Sequence, residues 1–151
     1  MIFRLRVILD NDTKEDILRD VELDKNSNLT DLHELILLSF NFSADQMASF
    51  YTVDEDWNQI NEISLMNFDE STDSMESTLI ADVLNNQNTK LLYIYDFMNM
   101  WTFYVELIEE AQEINDIKIS SCKSVRFEFL SISTSLRMSS FVSLSRIILS
   151  L

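Results

Sequence analysis

Apolar and polar residues alternate over the first nine positions, with Phe3, Leu5, Val7 and Leu9 on one side and Arg4, Arg6 and Ile8 on the other. A period of two predicts a strand with one buried face. Asn11, Asp12 and Thr13 supply turn chemistry. A second run then sets Ile17, Val21 and Leu23 against Asp20 and Glu22, so the two runs predict an opening hairpin. The spacing changes after Asn28. Leu29, Leu32, Ile36 and Phe40 recur along one helical stripe, with Asn28 as the N-cap and Asp31 at the third helical position. Asn41 is the expected left-handed cap, since Asn is the usual substitute for Gly there. Ser43 to Gln46 has capping-box spacing and predicts a second, short helix, with Phe42 and Met47 as its hydrophobic staple.

A strand follows at Ser49–Val53, then the acidic loop Asp54-Glu55-Asp56-Trp57 and another strand around Ile63 and Leu65. Residues 67–78 are polar and acidic and predict a mobile loop. Leu79–Leu84 predicts a short helix ended by Asn85 and Asn86. Leu91–Tyr95 and Trp101–Ile108 are rich in aromatic and branched residues, and Asp96–Met100 joins them into a closing hairpin. The order β-β-α-α-β-β-α-β-β predicts an α+β domain: a mixed β-sheet, β-grasp-like, with helices packed on one face.

The chain of 151 residues contains no Gly and no Pro. Gly-rich phosphate loops and the GxSxG nucleophile elbow are therefore excluded. Turns must be built from Asn and Asp instead, which predicts positive φ at Asn41 and at Asn85 or Asn86. Cys122 is the single cysteine, so no intrachain disulfide forms, in keeping with a reducing cytoplasm. The start of the chain has no unbroken apolar segment of the signal-peptide kind, and no run reaches the length of a membrane span. These readings predict a cytoplasmic protein.

Charge divides the chain. Residues 1–117 carry six basic and 25 acidic side chains, a balance of −19, whereas 118–151 carry five basic side chains against Glu128 alone, a balance of +4. The acidic body repels phosphate backbones, so direct nucleic-acid binding by it is not expected. Serine shifts at the same place, from eight in the first part to eleven in the second. The break predicts one domain at 1–116 and, at 117–151, an atypical Ser-rich basic tail that is out of frame or disordered. Met138, Phe141, Val142, Ile148 and Leu149 could share one face of a cationic amphipathic helix there.

Four stretches in collinear order carry a family resemblance: Leu29-Thr30-Asp31-Leu32-His33-Glu34; Gln46-Met47-Ala48-Ser49-Phe50 leading to Asp54-Glu55-Asp56-Trp57; Thr78-Leu79-Ile80-Ala81-Asp82-Val83-Leu84; and Leu92-Tyr93-Ile94-Tyr95-Asp96-Phe97 followed by Trp101. Over about residues 1–113 the chain resembles the plasmid pRiA4b ORF-3-like family of bacterial proteins, also labelled as TnpR-like passengers of insertion elements. The resemblance implies a fold and a mobile-element association. Its resolvase-like label is not carried over to this chain. A serine recombinase needs several Arg around its nucleophile and a DNA-binding segment, whereas the body has three Arg, all within the first nineteen residues. The chain departs from the family at the hairpin tip, where Met98 and Asn99 stand in place of a Gly and an acidic residue, and in its tail.

Candidate chemistry is sparse. His33 is the only histidine, so any triad or His-based metal site would have to use it; a packed, hydrogen-bonded histidine at the helix edge is the plainer reading. Asp54, Glu55 and Asp56 lack the spacing and turn Gly of an EF-hand, so no metal site is expected. Asp96 suits a turn, bonding local backbone N–H groups. Trp57 and Trp101, with Tyr93, Tyr95 and Phe97, suit either an aromatic contact surface or the core. Cys122 has Lys118 and Lys123 nearby but no adjacent histidine base. No catalytic residue and no cofactor are assigned.

The favoured reading is a non-enzymatic protein-interaction module with an unknown protein partner, using His33, Asp96, Trp101 and Trp57 as candidate contacts. An enzyme or ligand-binding protein with a cleft near His33, Asp96 and Trp101 is the alternative. An acidic DNA mimic is a third reading.

Overall fold

In the computed structural model the described residues are 1–11, 14–66, 73–112 and 124–126. The expected turn residues Asp12 and Thr13, loop residues 67–72, Cys122 and the amphipathic stretch from Met138 to Leu149 lie outside them.

The chain runs β1 (Ile2–Leu9), β2 (Ile17–Asp24), α1 (Leu29–Phe40), β3 (Ala48–Val53), β4 (Gln59–Ser64), β5 (Asp73–Ser74), α2 (Ile80–Val83), β6 (Lys90–Tyr95), β7 (Trp101–Ala111) and β8 (Ser124–Arg126). Among the described residues these strands form one eight-stranded sheet in the order β5-β4-β3-β6-β7-β1-β2-β8. Every neighbouring pair is antiparallel except β4 and β5, so the sheet is mixed and the class is α+β. The opening hairpin followed by a helix matches the β-grasp-like expectation. The centre of the sheet is arranged differently, because β7 returns from a tight hairpin with β6 and lies antiparallel along the whole of β1.

Helix α1 forms where the stripe and the caps place it. Asn28 Oδ1 accepts the Asp31 N–H at 3.0 Å. At the other end Asn41 is left-handed at φ 58°, and Phe42 N–H donates to Leu37 O at 2.9 Å. Leu29, Leu32, Leu35 and Ile36 are fully buried against Phe3, Leu5, Val7, Val21, Phe50, Tyr93 and Phe103 from the sheet. Short α2 is tied to the entry of α1 by Ile80 N–H to Ser27 O and Ala81 N–H to Lys25 O. Its Ile80 and Val83 close the same core.

Among the described residues no helix covers the opposite face of the sheet. There Arg6 grips Asp20 with two 2.9 Å hydrogen bonds, and Arg4 pairs with Glu22 at 2.9 Å and Glu109 at 2.7 Å. A smaller apolar cluster of Val53, Leu92 and Ile94 packs under Tyr51, Trp57 and Tyr104.

Four expectations are corrected. Ser43–Gln46 is not helical. The Tyr95 hydroxyl donates to Ser43 O and Asp96 N–H donates to Met47 O, so carbonyls that a helix would use internally are claimed by β6 and its turn. Phe42 correspondingly packs on Tyr95, Trp101 and Phe103 and is not a staple for Met47. Neither Asn85 nor Asn86 has positive φ, because Asn85 Oδ1 accepts N–H bonds from Gln87 and Asn88 and turns the chain without a left-handed residue. The described part of the 67–78 loop is structured: β5 pairs with β4, and Met75 is fully buried. Strand β8 pairs with β2 through Asp20, Val21 and Glu22.

Candidate functional site

The tip between β6 and β7 is built by Asp96. Its φ is 56°, and its backbone carbonyl accepts the N–H groups of Asn99 at 3.0 Å and Met100 at 2.6 Å. Its carboxylate accepts Met98 N–H at 3.1 Å and Asn99 Nδ2 at 2.5 Å. Asp96 thus spends its acceptors on the turn, as short polar side chains do where Gly is absent. Met100 is also left-handed, at φ 54°. Two left-handed residues four positions apart fold the tip sharply and push the side chains between them outward.

Those side chains are apolar. Phe97 is 43% exposed, Met98 92%, Met100 53% and Trp101 39%, an apolar knob within five consecutive positions at one end of the sheet. Phe42 supports it from behind, with its ring 5.1 Å from Trp101, 5.3 Å from Tyr95 and 5.9 Å from Phe103, edge to face in each case. Tyr95 anchors the adjoining chain through Ser43 O and, at 3.3 Å, Asp45 Oδ1. The Ser43 hydroxyl, 2.6 Å away, holds the Asp45 carboxyl below the usual carboxylate range.

His33 is elsewhere. It is buried, and its Nδ1 lies 2.7 Å from the Tyr93 hydroxyl. Burial lowers its pKa, against a smaller upward pull from Glu34, and burial pushes the Tyr93 phenol up. Trp57 is on the helix-free side, left-handed at φ 66°, edge-on to Tyr104 at 4.8 Å. Lys90 Nζ sits 4.9 Å from its ring and also donates to Glu55 O at 3.2 Å. In the same loop Asp54 is held below the usual range, chiefly by the Asn58 side chain, and its Oδ1 accepts Asp56 and Asn58 N–H, each at 2.9 Å.

Of the four candidate contacts, Asp96 and Trp101 therefore share the tip, while His33 belongs to the core and Trp57 to the opposite face. Phe42, Met98 and Met100 join the tip without having been singled out as contacts. Their signal is present in the sequence: a five-residue connection reading Asp-Phe-Met-Asn-Met before Trp101 is apolar where a hairpin turn is usually polar. Among the described residues no group of three or more His, Cys, Asp or Glu side chains converges to hold a metal ion. Among the described residues no helix is long and apolar enough to cross a membrane.

The fold is shared with a solved structure, the crystal structure of a protein of unknown function from Methanosarcina mazei Go1. The TM-score is 0.71 at 18% identity, over 83% of this chain and 67% of that one. At that identity the likeness concerns the fold alone. No curated protein matches the chain. The family model described as plasmid pRiA4b ORF-3-like protein matches residues 1–126, from β1 through β8, and with its strands, helices and quoted stretches in this order the chain belongs to that family.

Proposed function

We propose that this chain is a non-enzymatic protein-interaction module that binds its partner through the β6–β7 tip. The observation that carries the reading is the knob of Phe97, Met98, Met100 and Trp101, exposed to water yet braced by Phe42 and by the hydrogen-bonded turn at Asp96. Apolar patches of this kind mark contact sites, and aromatic residues and Met are enriched at interface centres. A braced knob also loses little conformational entropy when it docks. The acidic surface suits a partner whose pocket for the knob is rimmed by basic residues.

The enzyme alternative loses its support, because His33 is enclosed with Tyr93 while Asp96 and Trp101 stand at the tip with other partners. A DNA mimic needs rows of unpaired carboxylates. On the helix-free face Asp20, Glu22 and Glu109 are instead paired with Arg6 and Arg4.

Affinity purification of the full chain from its host, run in parallel with Met98→Asp and Trp101→Ala, tests the proposal. A protein retained by the parent chain, lost with either variant and bound again after separate purification is the expected result. An identical set of retained proteins for all three chains overturns it.

A further inference from the structure

A cleft of about 480 Å³ opens on the helix-bearing side of the sheet, between β3 and β4 on one wall and α2 with its following loop on the other. Clefts of this size are typical of small-ligand sites. Its origin is visible in the register. Phe50 on β3 faces Ile63 on β4 within the core, but the next inward pair on the same face is Thr52 and Asn61. The sheet thus turns from apolar to polar on its covered side, beside a β-bulge at Thr52/Val53 that re-aims the strand.

The walls are fixed by their own hydrogen bonds. Thr52 Oγ1 accepts Asn61 N–H at 3.2 Å, Thr78 Oγ1 donates to Ser74 O at 2.8 Å, and Asn88 Nδ2 donates to Val83 O at 2.7 Å. Asp73 and Asp82 also line the cleft, and neither carboxylate has a hydrogen bond or ion pair with another described residue. Among the described residues no Lys, Arg or His lines it, whereas Ile63 and Val83 give it an apolar floor. The described lining is therefore rich in acceptors and carries no cation. It disfavours phosphates and carboxylates and favours a ligand that brings N–H donors and positive charge.

We propose that this cleft binds a small aliphatic amine of the polyamine class, with ammonium groups on the Asp73 and Asp82 carboxylates and methylenes over Ile63 and Val83. A sugar would find no aromatic platform among the described lining residues. A divalent metal ion would find no third ligating side chain converging among the described residues. The proposal uses residues distinct from the β6–β7 tip, so the two stand or fall separately.

Because the whole chain is acidic, the experiment must separate a site from loose counterion attraction. Isotope-labelled full-length protein is titrated with spermidine at about 150 mM salt, where exposed charges are screened beyond roughly 8 Å. The expected result is saturable shifts confined to Thr52, Asn61, Ser77, Thr78, Asn85 and Asn88. Asp73→Asn and Asp82→Asn should each weaken binding about tenfold, the loss expected for one charged hydrogen bond. Glu15→Gln and Glu55→Gln should leave it unchanged. Asp73 and Asp82 are exposed, and retained amide dispersion in their variants reports an intact fold. Absent shifts, shifts that spread over the acidic surface without saturating, or saturation by glucose but not by spermidine overturn the proposal.

Discussion

The Tyr93 hydroxyl lies 2.7 Å from His33 Nδ1, joining the middle of β6 to α1 in a core otherwise lined by aliphatic and aromatic groups. Burying a polar atom is tolerated only when it is bonded, so each group makes the other admissible. The pair is a cross-brace between sheet and helix, and His33 is committed to it.

Tyr93→Phe keeps the ring packing on Phe50 and Phe103 but removes the partner of His33 Nδ1. A loss of about 1–3 kcal/mol in unfolding free energy is expected, measured by urea denaturation at pH 7.5 or so.

The same pair imposes a pH dependence. The folded-state pKa of His33 is lowered by burial, so the unfolded chain takes up the proton first as pH falls. The contribution of neutral His33 is fully present above about pH 6.5, the unfolded value, and is lost progressively as pH falls below it toward the folded pKa. Asp45 and Asp54, whose pKa values are lowered, weaken the fold only in the separate window below about pH 4. Denaturation midpoints at several pH values check this: His33→Leu should lack the slope just below pH 6.5 and keep the acid limb.

Met100 is held at φ 54° in a chain without Gly. Left-handed backbone costs a residue with a Cβ about 1–2 kcal/mol, part of which Gly returns through its freedom in the unfolded state. Met100→Gly is therefore expected to stabilise the fold by about 0.5–1 kcal/mol. Asn41→Gly should change it by only a few tenths, because Asn tolerates this region. A rise in Tm for the first and little change for the second is the pattern to look for.

On the helix-free face, Arg6→Ala strands the Asp20 carboxylate, which is only 5% exposed. Arg6 itself is partly open to water, so the expected cost is about 2 kcal/mol, below that of a fully enclosed pair. Arg4→Ala should cost about 0.5 kcal/mol, because its partners Glu22 and Glu109 keep more access to water than Asp20 does. Comparing the two variants by chemical denaturation separates a structural pair from a surface one.

Phe42→Ala removes the support behind Trp101 and should cost about 2–3 kcal/mol, since the ring is half-buried against three others. Met98→Asp, at a position 92% exposed, should leave stability within about 0.5 kcal/mol. The contrast distinguishes what builds the tip from what it presents.

Local signals with one physical outcome were legible in the sequence. Asn28, the stripe from Leu29 to Phe40, and Asn41 specify α1 through caps and periodicity alone, and the structure follows them. Ser43–Gln46 carries an equally regular pattern and fails, because Tyr95 and Asp96, some fifty residues away, hold the carbonyls of Ser43 and Met47. A pattern read along the chain does not contain that competition. Asp96 and Trp101 were legible as a turn former and an aromatic strand residue. That Met98 and Met100 extend the same surface depends on left-handed backbone at Asp96 and at Met100, and the second is a conformation that no side-chain preference announces.

Among the described residues the sheet ends in short strands on both sides, β5 with two residues and β8 with three. A long bare strand invites a neighbouring molecule to add to it and repeat the addition without limit. Here β8 lies over the middle of β2, which would otherwise be an eight-residue docking rail. An edge strand this short leaves an incoming molecule little backbone to pair with, so the pairing of β8 with β2 works against edge-to-edge addition on that side.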